Sequence, residues 1–196
     1  MTTLIITLPA PEVDPADPAT EWEHVRAADG VLLSPPVRAP LALLPTADDV
    51  VAVVPVQALS WHRVQLPSGT LSRAAFREAA GARLRAVLAG LLEDVLLDDP
   101  ADLHFALEPG ARDGAPIWVA ACDRAWLVQT LTQLEKTGHR ANRVVPQWTP
   151  QPEQDALWIL GIPGDVWALR AGPQGLQRWP LSGALIGLLG DPGLPV

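Results

Sequence analysis

The apolar pattern is densest between Val50 and Leu107, and the rest of the chain is read outward from there. Val50-Val51-Ala52-Val53-Val54 is short, continuous and mostly β-branched, which suits a strand buried on both faces. From Ser60 the polarity alternates. Trp61, Arg63 and Gln65 fall on one side and His62, Val64 and Leu66 on the other, so this stretch reads as a sheet strand with one wetter face. Leu84, Val87, Leu88, Leu91, Leu92 and Val95 then recur at helical spacing and predict an amphipathic helix. Thr70 and Ser72 are candidate N-caps. Asp98-Asp99-Pro100 is the expected stop, because proline lacks a donor and excludes the α region at the residue before it. Gly81 and Gly90 each lower helix propensity, and Gly81 could mark a bend. A further strand follows at His104-Phe105-Ala106-Leu107.

On the N-terminal side, Thr2 to Leu8 reads as a strand, and the proline-acidic stretch from Pro9 to Pro18 as an exposed loop. Glu21 to Arg26 reads as a second strand, Asp29-Gly30 as a hairpin turn and Val31 to Leu33 as its return. Together these make a three-stranded antiparallel meander. Leu41 to Leu44, boxed by prolines, has room for one helical turn. On the C-terminal side, Glu108 to Gly114 is a loop and Ile117 to Cys122 a buried strand. Asp123 is placed to cap a helix carrying Trp126, Leu127, Thr130, Leu131 and Leu134, ending at Gly138. Arg143 to Pro146 is a short strand and Thr149 to Glu153 a linker. A second meander follows: Ala156 to Leu160, a turn at Gly161-Ile162-Pro163-Gly164, Asp165 to Arg170, a turn at Gly172 to Gly175, and Leu176 to Trp179. Leu181 to Leu189 would begin another helix. Meanders thus open both halves, the second of which stops at Val196, so the chain reads as a fragment of a longer protein.

The 196 residues suffice for one large domain or two lobes, and 48% are hydrophobic, enough for a substantial core. A formal net charge of −8 supplies no basic footprint for nucleic acid and opposes an anionic membrane surface. Lys136 is the only lysine, and eight tryptophans accompany no tyrosine. A lysine-dependent phosphate cradle or Schiff base would therefore have to rest on Lys136. Cys122 is alone, so no intramolecular disulfide can form, and its apolar surroundings read as an inert buried thiol in a reducing compartment. Leu4 to Leu8 is too short for a signal peptide, and no apolar run is long enough to span a bilayer.

Three stretches carry a resemblance to a known family. They are Val54 through Pro67, Leu88 through Leu107 (above all Leu96-Leu97-Asp98-Asp99-Pro100-Ala101-Asp102-Leu103-His104-Phe105-Ala106-Leu107), and Cys122-Asp123-Arg124-Ala125-Trp126-Leu127. They resemble the cytoplasmic region of the type II secretion system protein L, and the likeness extends over nearly the whole chain. The order of meander, helix and further strand and helix units is that of an RNase H-like lobe, and two such lobes make the actin-like fold. The expected architecture is therefore α/β, actin-like, with RNase H-like lobes and mixed sheets. Residues 1–149 would form the first lobe with an inserted subdomain, and 150–196 the start of a second, incomplete lobe. The resemblance implies a non-catalytic docking domain on the cytoplasmic face of the bacterial inner membrane, part of a single-pass membrane protein. Its implied partners are the N-terminal domain of the secretion ATPase, protein E, and the platform proteins M and F, with a homodimer left open.

The alternative reading is an actin-like nucleotide-binding ATPase or the related type IV pilus assembly protein. Such ATPases place a carboxylate and a Gly/Ser/Thr turn at the start of each lobe, the acid organising the metal and the amides cradling phosphate. Here the first turn is Pro9-Ala10-Pro11, and proline offers no amide. In the second, Ile159-Leu160-Gly161-Ile162-Pro163-Gly164 stands where Asp-x-Gly-x-x-Thr would be, and only Gly161 fits. No cofactor is expected. Ser60 and His62 share a strand face, but no nucleophile elbow accompanies them. His24, His62, His104 and His139 lack metal-ligand spacing. Asp48-Asp49 and Asp98-Asp99 read as a turn and a helix stop. Trp158, Trp167 and Trp179 fit either an interface or a meander core. The expected docking face comprises Asp165, Trp167, Arg170, Arg178 and Trp179.

Overall fold

The computed structural model describes residues 1–71, 78–150, 157–162, 165–172 and 175–182. Two mixed or antiparallel sheets organise it. The first contains β1 (Thr2–Thr7), β2 (Glu21–Ala28), β3 (Val31–Leu32), β5 (Asp49–Val54) and β9 (Arg143–Pro146) in the order β3-β2-β1-β5-β9, while β4 (Val37–Pro40) also pairs with β2. β1 runs antiparallel to β2 and parallel to β5, and β9 is parallel to β5. This is the strand order and direction expected of an RNase H-like sheet. The tight turn works because Asp29 and Gly30 both take positive φ, 50° and 80°, which twists the hairpin in the sense its strands require. β4 was not anticipated, since Val37-Arg38-Ala39-Pro40 carries no alternation and lies between prolines. Its place on the outer edge of β2 explains why Pro40 is tolerated there.

The second sheet runs β10-β11-β12-β6-β8-β7, with β6 (Ser60–Gln65), β7 (Leu103–Leu107), β8 (Pro116–Asp123), β10 (Leu157–Ile162), β11 (Asp165–Gly172) and β12 (Gly175–Pro180). Both faces of its centre are covered. Trp61, Trp118, Ala120 and Cys122 join Leu4, Ile6, Ala52 and α2 (Arg124–Lys136) in one core. Val64, Leu66, Ile117 and Val119 pack on the other face against Leu88 and Leu92 of α1 (Glu78–Leu92). The wetter face expected for β6 is present in Arg63 and Gln65, which are exposed, while Val64 and Leu66 on the other side are buried; the departure is Trp61, which is buried on the wetter side.

Helix α1 is shorter than its apolar stripe. It ends at Leu92, and the amides of Val95 and Leu96 both fold back to the Leu92 carbonyl at 3.0 Å. Val95, expected on the core stripe, is consequently 56% exposed and Leu91 44% exposed, and Asp98-Asp99-Pro100 lies beyond the helix rather than ending it. The Thr70 hydroxyl donates to the Pro67 carbonyl at 2.6 Å; Ser72, and the residues either candidate would cap, lie outside the described residues. Helix α2 matches the sequence closely. The Asp123 carboxylate accepts from the Trp126 amide, a cap that stabilises by about 1 kcal/mol. Gly138 follows at φ 85°. The linker and the turns of the second meander fall largely outside the described residues, as does the helix expected after Leu181.

Asp49 fastens β9 to β5. Its two carboxylate oxygens accept from Asn142 Nδ2 and Arg143 Nη2, each at 2.8 Å. The Arg143 hydrogen bond, seconded by that of Asn142, holds the Asp49 carboxyl below its ordinary value. A carboxyl whose pKa falls on folding adds stability above its unfolded pKa, about 3.9, and loses it as pH drops through the folded value. Asp49→Asn should therefore lower stability at pH 7 while flattening its decline below pH about 4, as chemical denaturation across that range would show.

Candidate functional site

A cavity of about 630 Å³ opens where the strand ends of the first sheet face the second meander. Thr7, Leu8, Pro9 and Ala10 at the end of β1, and Pro55, Val56 and Gln57 beyond β5, form one wall. Leu160, Gly161 and Trp167 of the meander stand across it. The two stretches singled out as the place for phosphate-binding turns are thus brought to one cleft. Gly161 and Ile162, expected in a turn, continue β10 and pair with Val166 and Asp165, so no glycine-rich loop curls at Gly161. Residues 163–164 lie outside the described residues.

The backbone at this cleft offers little to an anion. Pro9 and Pro55 have no N–H to donate. The Leu8 amide is already bonded to the Val53 carbonyl at 2.9 Å, and the Val13 amide to the Ala10 carbonyl at 2.9 Å. The Val56 amide donates to Gln147 Oε1 at 3.1 Å. The charged lining is Glu21, Glu23 and Arg38, and Arg38 is committed to Glu23 at 3.6 Å. Two carboxylates against one paired guanidinium give the cleft the wrong sign for a polyphosphate.

The five residues expected at a docking face separate onto two faces of the meander. Cross-strand partners share a face, and the register pairs Trp167 with Pro180, Leu169 with Arg178 and Ala168 with Trp179. Trp167 and Arg178 therefore lie on the side that packs toward Val56, Trp148 and Leu169. The Arg178 guanidinium stands 5.9 Å from the Trp167 ring centre. It donates to the carbonyls of Val56, Gln57 and Leu59 at 2.5, 2.6 and 2.9 Å, and burial draws its pKa below the usual arginine value. Arg178 is a tether of the meander to the loop after β5. Arg170 and Trp179 occupy the opposite face, with Leu157 and Ile159, which are 36% and 47% exposed. Asp165 opens β11 across from Ile162. Trp158 packs edge-on to Trp148 at 6.1 Å, so of the three meander tryptophans Trp158 and Trp167 serve the core. The role of Arg178 was not legible beforehand, because it depends on three carbonyls roughly 120 residues away in the chain.

The remaining candidates are structural. His62 Nε2 lies 3.0 Å from Ser60 Oγ, as the strand repeat of two requires. Ser60 Oγ also faces the Ala121 carbonyl at 3.5 Å, and burial lowers the His62 pKa. No carboxylate lies within ion-pair distance of His62 among the described residues, so the pair lacks the third member of a triad. His24 and His139 are buried in separate places, and no His/Cys/Asp/Glu group able to hold a metal gathers among the described residues. Burial, and then Asp123, push the Cys122 thiol up to about 11, which keeps it protonated and unreactive. No helix among the described residues is long and apolar enough to cross a membrane.

The family description for protein L of the type II secretion system (T2SS) matches residues 28–177. The type II secretion system protein L of Vibrio cholerae serotype O1 (strain ATCC 39315 / El Tor Inaba N16961) is 32% identical over 123 residues, which is 62% of this chain and 27% of that protein. The match thus spans about a quarter of the curated relative's length. Among solved structures, the cytoplasmic domain of EpsL, an inner membrane component of the type II secretion system of Vibrio cholerae, superposes with a TM-score of 0.65 at 19% identity, covering 99% of this chain and 79% of that one. A PilM-PilN type IV pilus biogenesis complex gives a TM-score of 0.46 at 14% identity, covering 94% and 63%. The α/β, actin-like fold expected from the sequence is the fold observed. The chain belongs to the type II secretion system protein L family.

Proposed function

We propose that the chain is a non-catalytic docking domain that recruits the secretion ATPase, protein E, to the inner-membrane platform for protein export. The observation that carries this reading is the cleft. Where an actin-like ATPase would grip a nucleotide, this chain has Pro9, Pro55, spent amides and the Glu21 and Glu23 carboxylates. A fold kept without the groups that bind phosphate serves by holding partners, since function resides in sites rather than in folds. On this reading residues 1–149 form the first lobe with its insertion, residues 150–196 open a second, and the domain works at the cytoplasmic face of the inner membrane alongside proteins M and F. Asp165, Trp167, Arg170, Arg178 and Trp179 remain the proposed docking region. Arg170 and Trp179 would supply the contact, and Trp167 and Arg178 would hold the meander in place. The chain's net charge of −8 would steer a basic patch of the ATPase onto it.

Co-elution with the N-terminal domain of protein E at micromolar concentration tests the docking half. Replacing Arg170 by Glu together with Trp179 by Ala should weaken it at least about tenfold, the scale of losing one interface anchor. Failure of the unaltered chain to co-elute would refute recruitment. Calorimetry with Mg-ATP tests the other half: clear binding at sub-millimolar affinity would restore the actin-like ATPase reading.

A further inference from the structure

We propose that the segment closing α1, Leu91 to Asp102, is a second docking surface, one that takes a basic segment of a partner protein carrying its own apolar side chains. It lies at the edge of the second sheet opposite the meander, beside β7 rather than β10, and does not rest on the reading of the meander as a docking region.

Three aliphatic side chains stand in solvent within seven positions of one another. Leu91 is 44% exposed, Val95 56% and Leu97 101%. Isolated exposed leucines are ordinary, but this group is held out by a built turn. The Val95 and Leu96 amides bond to the Leu92 carbonyl, and Leu96 packs inward beside Leu88 and Leu92. The Ala101 amide donates to Asp99 Oδ1 at 2.8 Å and the Asp102 amide to the Asp99 carbonyl at 2.9 Å. With Leu96 fixed inward and the turn pinned on both sides, Val95 and Leu97 are presented in a set conformation, which lowers the ordering cost of binding.

The charge around them says what covers them. Glu93, Asp94, Asp98, Asp99 and Asp102 are interspersed with the aliphatics, and residues 91–102 contain no lysine or arginine. This stretch thus holds −5 of a net −8. Arg124, whose guanidinium donates to the Leu103 carbonyl at 2.8 Å, sits at its foot, and with Arg85, whose charge also reaches the neighbouring His104, it offsets two of those charges at most. A second copy of the chain meeting this patch about a two-fold axis is disfavoured by its charge. A two-fold contact meets its own patch, and five carboxylates would face five. An anionic bilayer is repelled on the same ground. A protein segment with lysines or arginines flanking leucines or aromatics satisfies both the apolar centre and the acidic rim.

The test uses the 196-residue chain and a synthetic amphipathic helix of leucine and lysine, with a leucine–glutamate counterpart as control. Amide chemical shifts and calorimetry are followed at low salt. The basic peptide should bind with a micromolar dissociation constant and perturb residues 91–103, while the acidic peptide should not bind. Val95→Ser with Leu97→Ser should weaken binding at least about tenfold without lowering the melting temperature, because neither side chain is in the core. Asp98→Asn with Asp99→Asn should weaken it severalfold and reduce its dependence on salt. Unchanged binding by the Val95/Leu97 variant, shifts centred on the meander or the cleft, or no binding up to about 1 mM would each overturn the proposal. So would self-association, or uptake on phosphatidylglycerol vesicles, that Leu97→Ser abolishes.

Discussion

Trp22→Ala is expected to lower stability by about 3–5 kcal/mol, the range for truncating a large buried aromatic. Trp22 is 1% exposed and lies on β2, with Leu4, Ile6, Leu8 and Ala52 in the same core and α2 packed over it. That core also contains Trp61, Trp118 and Cys122 of the second sheet, so a hole at Trp22 loosens the joint between the two sheets. For a chain of this length the loss corresponds to a fall in melting temperature of roughly 6–20 °C, at about 2–4 °C per kcal/mol. It would consume a large part of a total stability of about 5–15 kcal/mol. Trp22→Phe separates volume from polarity. The Trp22 indole N–H is buried and finds no protein partner among the described residues, an arrangement that costs free energy. Phenylalanine removes that unmet donor while filling most of the space, so it should cost less than half as much as alanine in the same denaturation experiment. Equal losses would show that the ring's shape is not what the core requires.

The case of Trp22 shows what kind of feature the sequence exposes. Strand β5 was legible because five apolar residues in a row allow few other readings, and α2 because Asp123, the apolar period and Gly138 agree on both ends. The expected length of α1 exceeded the real one because Val95 obeys the helical period, yet the Leu92 carbonyl takes the Val95 and Leu96 amides and ends the helix sooner. Periodicity records which residues could lie on one face; the end of a helix depends on where its last carbonyls find partners. The burial of Trp61 on the wetter face of β6 was hidden for a related reason. Trp61 shares its side with the exposed Arg63 and Gln65, and only its tertiary neighbours decide that the ring is nevertheless buried. At the cleft, the poverty of amides around Pro9 could be read directly, since proline carries its deficit in its own ring. The engagement of the Leu8 and Val56 amides by Val53 and Gln147 could not, because both depend on chain segments that meet only after folding. The docking residues separated for the simplest reason. Trp167 and Arg178 differ from Arg170 and Trp179 in strand parity, and composition is blind to parity until the register is known.

Gly175→Ala should release the meander from the rest of the second sheet, at a cost of about 2–4 kcal/mol when strain in the left-handed region is added to overpacking. β12 meets β6 at one register position, Gly175 opposite His62. Gly175 has φ 155°, and a Cβ there would stand 2.7 Å from the Trp61 carbonyl oxygen. That oxygen belongs to the backbone of a central strand and cannot swing aside as a side chain could. The added methyl therefore either distorts β6 or moves β12 away, and moving an edge hairpin disturbs fewer contacts. If β12 moves, Arg178 is drawn off the carbonyls of Val56, Gln57 and Leu59, and the wall formed by Leu160, Gly161 and Trp167 leaves the cleft. The effect should be local. Amide hydrogen exchange should speed up across 166–171 and 175–180, while β1, β5 and α2 keep their protection, because sub-global opening follows contiguous units. Arg178→Met should reproduce part of this pattern, and the double variant should fall short of the sum of the two, since both act on one attachment. If exchange in the meander stayed unchanged in Gly175→Ala, the glycine would not be the point of attachment. If instead β1 and β5 lost protection together with the meander, the two sheets would unfold as a single unit and the meander would have no independent equilibrium to shift.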